Sequence, residues 1–459
     1  MQLPQAVANA LDAGGAAYRL LDLDLPETGM PALNVCSVIL QDQTGRMQVL
    51  VPDDSLLDLA ALNRLTGRDL SAAPEESLGA LYMPHGLLSL PSVPNVLEMP
   101  VVIDQRLLEN DFINLHAGAD AAVVQLARAD FRRLAESGNS MSGSFSVQVQ
   151  ELQPAAADAS TDALEIGNAV GKFTSRRIER RLEDTLDFPP LPEIAHRIIQ
   201  IGADPYASVK DLARVVEIDP SLSAQVVSWA SSPYYAAPGK IKSIQDAIVR
   251  VLGFDLVMNL ALGLSLGKTL RLPREGRYGY RSYWLQAVNC AAMVEGLCKA
   301  MPSGKRPPLG YAYLSGLLHN FGFLVMAELF KPQLQLVCRY TEANPHLGHW
   351  TIERFLLGIT REQMAAWLMN FWHLPQEVCA ALRYQNDPAQ AGEHETIARV
   401  LYLATRLLRL QGIGSAPATP LEDSVFEELG ISREDASKVC ERLHNATDDL
   451  KAIARDLAA

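Results

Sequence analysis

The stretch GLLHNFGFL, Gly316 to Leu324, sets an imidazole beside an amide in an apolar, helix-periodic run. A carboxylate after His319 would make a candidate divalent-metal pair, because an anionic ligand offsets the metal's charge and helps lower the pKa of a bound water. Asn320 is neutral. Its carbonyl is a weak ligand, and its amide donates where a metal demands an acceptor. His319 therefore reads as a buried histidine tied into hydrogen bonds between helices. His346 and His349, in HLGH, stand at i, i+3, a spacing that could chelate. With no third fixed ligand near them they read as a loop or helix surface.

Other reactive types are scattered. Cys36, Cys290, Cys298, Cys338, Cys379 and Cys440 form no C-x-x-C pair and read as reduced thiols. No basic residue lies between Arg19 and Arg46 to activate Cys36, which reads as a buried strand cysteine. The run WASSPYYAAPGKIKS clusters Trp229, Tyr234 and Tyr235. It is a candidate ligand or partner surface; the alternative is a packed loop with its hydroxyls bonded to backbone. KFTSRRIERRLEDTL carries Lys172, Arg176, Arg177, Arg180 and Arg181, a solvated helix paired with its own acids or an anion contact.

The elements that must position these groups fall into two styles. Before residue 136, short apolar runs alternate with turns. VCSVILQDQTGRMQVLVP predicts a hairpin around Asp42-Gln43-Thr44-Gly45, and ALYMPHGLLSLP and VLEMPVVID predict further short strands. Helices are expected over Pro4 to Ala13 and Ser55 to Leu65, giving a mixed α+β domain at residues 1–135. Residues 136–172, rich in Ser, Ala, Gly and Asp, read as a linker with one short strand at Phe145 to Val149. Residues 173–459 read as almost wholly helical. Ser208 with Asp211 looks like a capping box, Asp219-Pro220 like a capped start, and Ser243 with Asp246 like another, stopped by Gly253. Such short helices are marginal alone and must pack as a bundle.

The order PPLPEIA, DPSLSAQVV, ASSPYY, SIQDAIVRVLGFDLVMNLAL and GLLHNFGFLVM, over about residues 180–410, resembles the HDOD domain, a divergent relative of the HD metal-dependent phosphohydrolases. The resemblance implies an all-helical, non-catalytic module of bacterial signalling proteins. Where HD relatives carry metal ligands, this chain has Gln286, Asn320, Arg361, Gln385 and Asn386 beside His319. Those residues are expected to line a degenerate pocket, neutral to positive, in which Arg361 could meet an anion.

AVANALDAGGAAYRLLDLD, CSVILQDQTGRMQVLVPDD and LAALNRLTGRDL, within residues 1–135, look like the YbaK/prolyl-tRNA-synthetase-associated domain. That likeness implies hydrolysis of mischarged aminoacyl-tRNA. Working members carry a lysine near the start of the central strand, where this chain has Cys36. No lysine precedes Lys172, and residues 1–135 hold 8 Arg against 17 Asp and Glu, a poor field for a polyanion.

The chain has 459 residues, 48% hydrophobic and 20% charged, with a formal net charge of −13. These values fit a soluble multidomain protein and argue against general nucleic-acid coating. LVMNLALGLSLG is too short to span a bilayer. No signal peptide is seen, so a cytoplasmic location is expected. The expected architecture is an α+β domain followed by an all-α HDOD-like bundle. The expected role is regulatory and non-catalytic, with a protein partner or small anionic ligand, no metal or cofactor, no tRNA and no membrane insertion. A trans-editing deacylase and a residual phosphohydrolase are the alternatives.

Overall fold

The computed structural model describes residues 3–22, 32–119, 122–152, 159–173, 190–235, 239–268, 270, 279–414 and 421–458. The chain divides into two compact units, Met1–Ala155 with Gln335–Leu356, and Ala156–Leu334 with Leu357–Ala459.

The first unit is α+β. Its strands are β1 (Tyr18–Asp22), β2 (Leu33–Asp42), β3 (Gly45–Pro52), β4 (Ser55–Leu57), β5 (Ser71–Ala72), β6 (Val101–Asp104), β7 (Phe112–His116), β8 (Ala122–Ala127), β9 (Ser140–Gly143) and β10 (Ser146–Gln148). The main sheet runs β1-β8-β7-β2-β3-β6-β9 with β5 beside β2, while β10 pairs β4. It is mixed: β2–β3 is antiparallel, whereas β2–β7, β3–β6 and β6–β9 are parallel. The hairpin closes where read from sequence, with Asp42 opposite Gly45. Asp42 Oδ1 accepts from Thr44 N (2.7 Å), and Gly45 takes φ 138°. That backbone conformation favours glycine.

Three expectations need correction here. ALYMPHGLLSLP is not a strand: Glu75–Tyr82 is a helix and Met83–His85 a 3-10 turn. Glu75 and Glu76 favour a helix N-terminus, and Leu78, Leu81 and Tyr82 pack at helical spacing against the core. In the expected helix Ser55 to Leu65, Ser55–Leu57 is strand and the helix is Leu59–Thr66, capped by Asp58. Residues 136–172 are not a bare linker. They supply β9 and β10, bury Phe145, and end in the helix Asp162–Phe173. Edge pairing needs only main-chain groups, so a Ser/Gly segment can join a sheet without apolar periodicity.

The first unit also takes in residues from far along the chain. Tyr340, Ala343 and Ile352 share a core with Val38, Leu40, Val49 and Leu56. The fully buried Asn344 accepts from Leu57 N (2.7 Å) and donates to Leu57 O (3.1 Å). A neighbouring strand would offer the same pair of bonds. The Tyr340 hydroxyl donates to Asp58 (2.7 Å) and accepts from Ala60 N (3.0 Å).

All described secondary-structure elements of the second unit are helices. The capping signals hold. Ser208 donates from N and Oγ to Asp211, Asp219 accepts from Ser221 N and Leu222 N ahead of Pro220, and Ser243 accepts from Asp246 N. Phe254–Gly267 is buried from Asn259 to Gly267 without a break. No described helix is long and apolar enough to cross a membrane. The helices that matter most to the candidate site are Tyr280–Ala300, Leu309–Leu318, Phe321–Leu329, Arg361–Phe371 and Gln376–Arg383.

Candidate functional site

Two glycines in GLLHNFG set how closely those helices approach. A Cβ on Gly316 would stand 2.9 Å from Ala291 Cα, on the helix that carries Gln286. A Cβ on Gly322 would stand 1.8 Å from the carbonyl oxygen of Arg361. Only glycine permits the second approach, since the obstacle is rigid backbone. The chain turns between these glycines at His319, whose Nδ1 donates to Gly316 O (2.9 Å), and at Asn320.

The amide of Asn320 has both ends used. Its Nδ2 donates to Gln286 Oε1 (3.2 Å), and its Oδ1 accepts from Arg361 Nη1 (2.9 Å). The guanidinium also lies over the Phe323 ring, with Cζ 5.0 Å from the centroid, a cation–π contact. Arg361 is buried and opens its helix behind the Thr360–Gln363 capping box. A cation there opposes the helix dipole, so its neighbours must hold it. Gln385 Nε2 donates to His319 O (2.9 Å) and Leu382 O (3.1 Å). Asn386 Nδ2 donates to Glu362 Oε1 (3.0 Å). The structure thus links Gln286, Asn320 and Arg361 in one chain, hangs Gln385 on the backbone of His319, and sends Asn386 to Glu362.

The helix that Arg361 opens and the helix that ends at Arg383 share a clamp that the sequence reading missed. Asp162, buried, accepts from Arg383 Nε (2.6 Å) and Nη2 (2.9 Å). Gln363 Nε2 donates to Asp162 Oδ1 (2.8 Å) and Glu165 Oε2 (2.8 Å). A sequence signal existed in two acids opening an amphipathic helix, but their receivers lie far along the chain.

The HDOD domain family matches residues 188–388, and the aminoacyl-tRNA editing domain family matches residues 32–134. A crystal structure provisionally named a signal transduction protein, from Marinobacter aquaeolei VT8, is 40% identical over 100% of both chains, with a TM-score of 0.90. The chain belongs to the HDOD family. Two further structures are similar to parts of it. One, provisionally named a phosphohydrolase, from Shewanella amazonensis SB2B, is 19% identical, covering 64% of this chain and 98% of its own (TM-score 0.49). Another, provisionally named a trans-editing enzyme for prolyl tRNA synthetase, is 19% identical, covering 32% of this chain and 99% of its own (TM-score 0.27). No curated protein matches.

Outside this HDOD site, two groupings read from sequence change character. Trp229 and Tyr234 are buried and Tyr235 is half-buried, so they form no surface. Trp229 Nε1 donates to the Tyr235 hydroxyl (3.3 Å), which donates to the buried Glu295 (3.1 Å), and Tyr234 donates to Ala292 O (3.4 Å). Burial, then the Glu295 charge, pushes both tyrosine hydroxyls well above the usual phenol range. The aromatics turned inward because Glu295 and a backbone carbonyl satisfy their polar ends. Likewise His346 Nε2 bonds Ser55 O (2.9 Å) before the helix His349–Leu357 begins, and His349 packs edge-on to Trp350, so the two histidines share no helix face.

Cys36 lies on β2 opposite Val51. Burial, with Asp53 adding to it, pushes its thiol up to about 12, the reverse of what a nucleophile needs. Of the basic run near residue 172, Arg176, Arg177, Arg180 and Arg181 lie outside the described residues.

Proposed function

We propose that this HDOD protein is a bacterial, cytoplasmic regulatory protein that works by binding and not by metal-dependent hydrolysis. The observation that carries the reading is the Arg361–Asn320 hydrogen bond. A divalent ion beside His319 would need acceptors and negative charge, and at position 320 it meets an amide already engaged at both ends and the Arg361 guanidinium. The relative named for signal transduction supports a regulatory role.

We infer on related grounds that the first unit is not a working deacylase. The editing family's lysine position holds Cys36, whose thiol stays protonated, and the acidic field of residues 1–135 repels a tRNA acceptor arm. Its role in this reading is to bind a protein partner or to present the second unit.

The test joins elemental analysis with phosphomonoester and phosphodiester hydrolysis assays, run with added Mn2+ on the full chain and on His319→Ala. The expected result is no hydrolysis above background and no metal lost with His319. Hydrolysis, or one metal per chain that vanishes in His319→Ala, would overturn the reading.

A further inference from the structure

Arg406 presents a different kind of cation. It lies on the helix Glu395–Leu410, beyond residue 388 where the HDOD match ends. The residue is only 4% exposed. Among the described residues, its side chain donates from Nη1 to Tyr402 O at a long 3.3 Å. That carbonyl also accepts from Thr405 Oγ1 (3.0 Å) and lies within the helix's own ladder. Nε is buried and meets no acceptor among the described residues.

Two nearby acids, Glu395 at the start of this helix and Glu428 on the helix Asp423–Leu429, both pair with Arg399. What Arg406 does have is an aromatic face, with its Cζ 3.3 Å from the Tyr402 ring centroid. Stacking holds the guanidinium plane, in which Nε has no acceptor among the described residues.

Buried charges are normally paired, and a guanidinium is a planar fork that suits an oxyanion with two acceptor oxygens. Burial works against the charged form of Arg406, and Tyr402 offsets it only in part. A chain of net charge −13 had acids to spare for this position, and among the described residues it places none within ion-pair range. A cation so held, stacked and under-bonded fits a seat for a diffusible partner better than a structural pair.

We propose that Arg406, backed by Tyr402, is the centre of an oxyanion-binding site in the helical unit, for a phosphoryl or carboxylate group. It lies on a different helix from Arg361. Failure here leaves the regulatory reading to its metal and hydrolysis test, and failure there leaves this site untouched.

The test is thermal unfolding of the full chain with added sodium phosphate, sodium acetate or sodium chloride at matched ionic strength and pH. Phosphate or acetate, but not chloride, should raise Tm by roughly 2–4 °C at saturating anion. The anion that acts identifies the group as phosphoryl or carboxylate. In Arg406→Met the rise should vanish. Arg406→Lys, which keeps the charge but loses the fork, should retain a reduced rise and serves should the Met variant fail to fold. Equilibrium dialysis with labelled phosphate or acetate should follow the same order. An equal rise in the wild type and both variants, or no rise with either anion in the wild type, would overturn the proposal.

Discussion

Arg361 Nη1 lies 2.9 Å from Asn320 Oδ1, so a fixed side-chain cation sits beside the His319–Asn320 pair where an HD enzyme would use a carboxylate. Restoring that carboxylate alone should not restore a metal site. In Asn320→Asp the new charge meets the guanidinium and forms an ion pair. Manganese titration followed by elemental analysis should show no gain over wild type. A stoichiometric gain would mean that Arg361 swings aside readily.

Removing the cation should cost more than adding the anion. Arg361→Ala strips a buried acceptor of its donor and loses the stack on Phe323. A loss of about 1–3 kcal/mol is expected from chemical denaturation. A change within about 0.5 kcal/mol would place Arg361 among surface-like residues.

Gly322→Ala should be worse than Gly316→Ala. At 322 the new methyl meets the Arg361 carbonyl at 1.8 Å, whereas at 316 it meets Ala291 Cα at 2.9 Å. Overpacking against backbone costs about 1–3 kcal/mol or more. The reverse order of stabilities would show that the helix Arg361–Phe371 moves away freely.

Breaking the Asp162–Arg383 pair should loosen the helix Asp162–Phe173. Removal of one partner of a buried ion pair costs about 3–5 kcal/mol. In Asp162→Ala, hydrogen exchange should rise in that helix and near Thr360, because Gln363 loses one of its acceptors. Unchanged protection in both places would reduce the clamp to ordinary packing.

A fragment ending at Ala155 should fold poorly. It lacks Tyr340, Ala343, Asn344 and Ile352, which complete the β4 edge and the core around Val49. Tethering residues 335–356 to its end should restore cooperative unfolding. Cooperative unfolding of the bare fragment at equal stability would contradict the division into units.

Cys36 should alkylate slowly at pH 8 and faster as pH climbs toward 12, since only the thiolate reacts. The sign for stability follows. The folded thiol stays neutral above its ordinary value of 9.0, so its burial costs nothing below that pH. Stability should fall as pH rises from 9.0 toward 12, where only the unfolded chain ionises this thiol freely. A Cys36→Ser variant should lose that slope while keeping the rest of the alkaline profile.

Local chemistry was legible in the sequence. Ser208, Asp219 and Ser243 announced their helices because a cap needs only its own first turn. Asp42 to Gly45 announced the hairpin for the same reason. The residue types Gln286, Asn320 and Arg361 could also be read, and the structure joins the three by hydrogen bonds. Tertiary structure decided the rest. Trp229 and Tyr235 turned inward because Glu295 waited on another helix. Residues 335–356 joined the first unit because its sheet left Leu57 N and O for Asn344. Asp162 found Arg383, and Arg406 found no acid among the described residues. Each of these depends on which surfaces meet when distant segments bury their apolar faces together, and that pairing is a property of the whole chain's packing and of no single stretch.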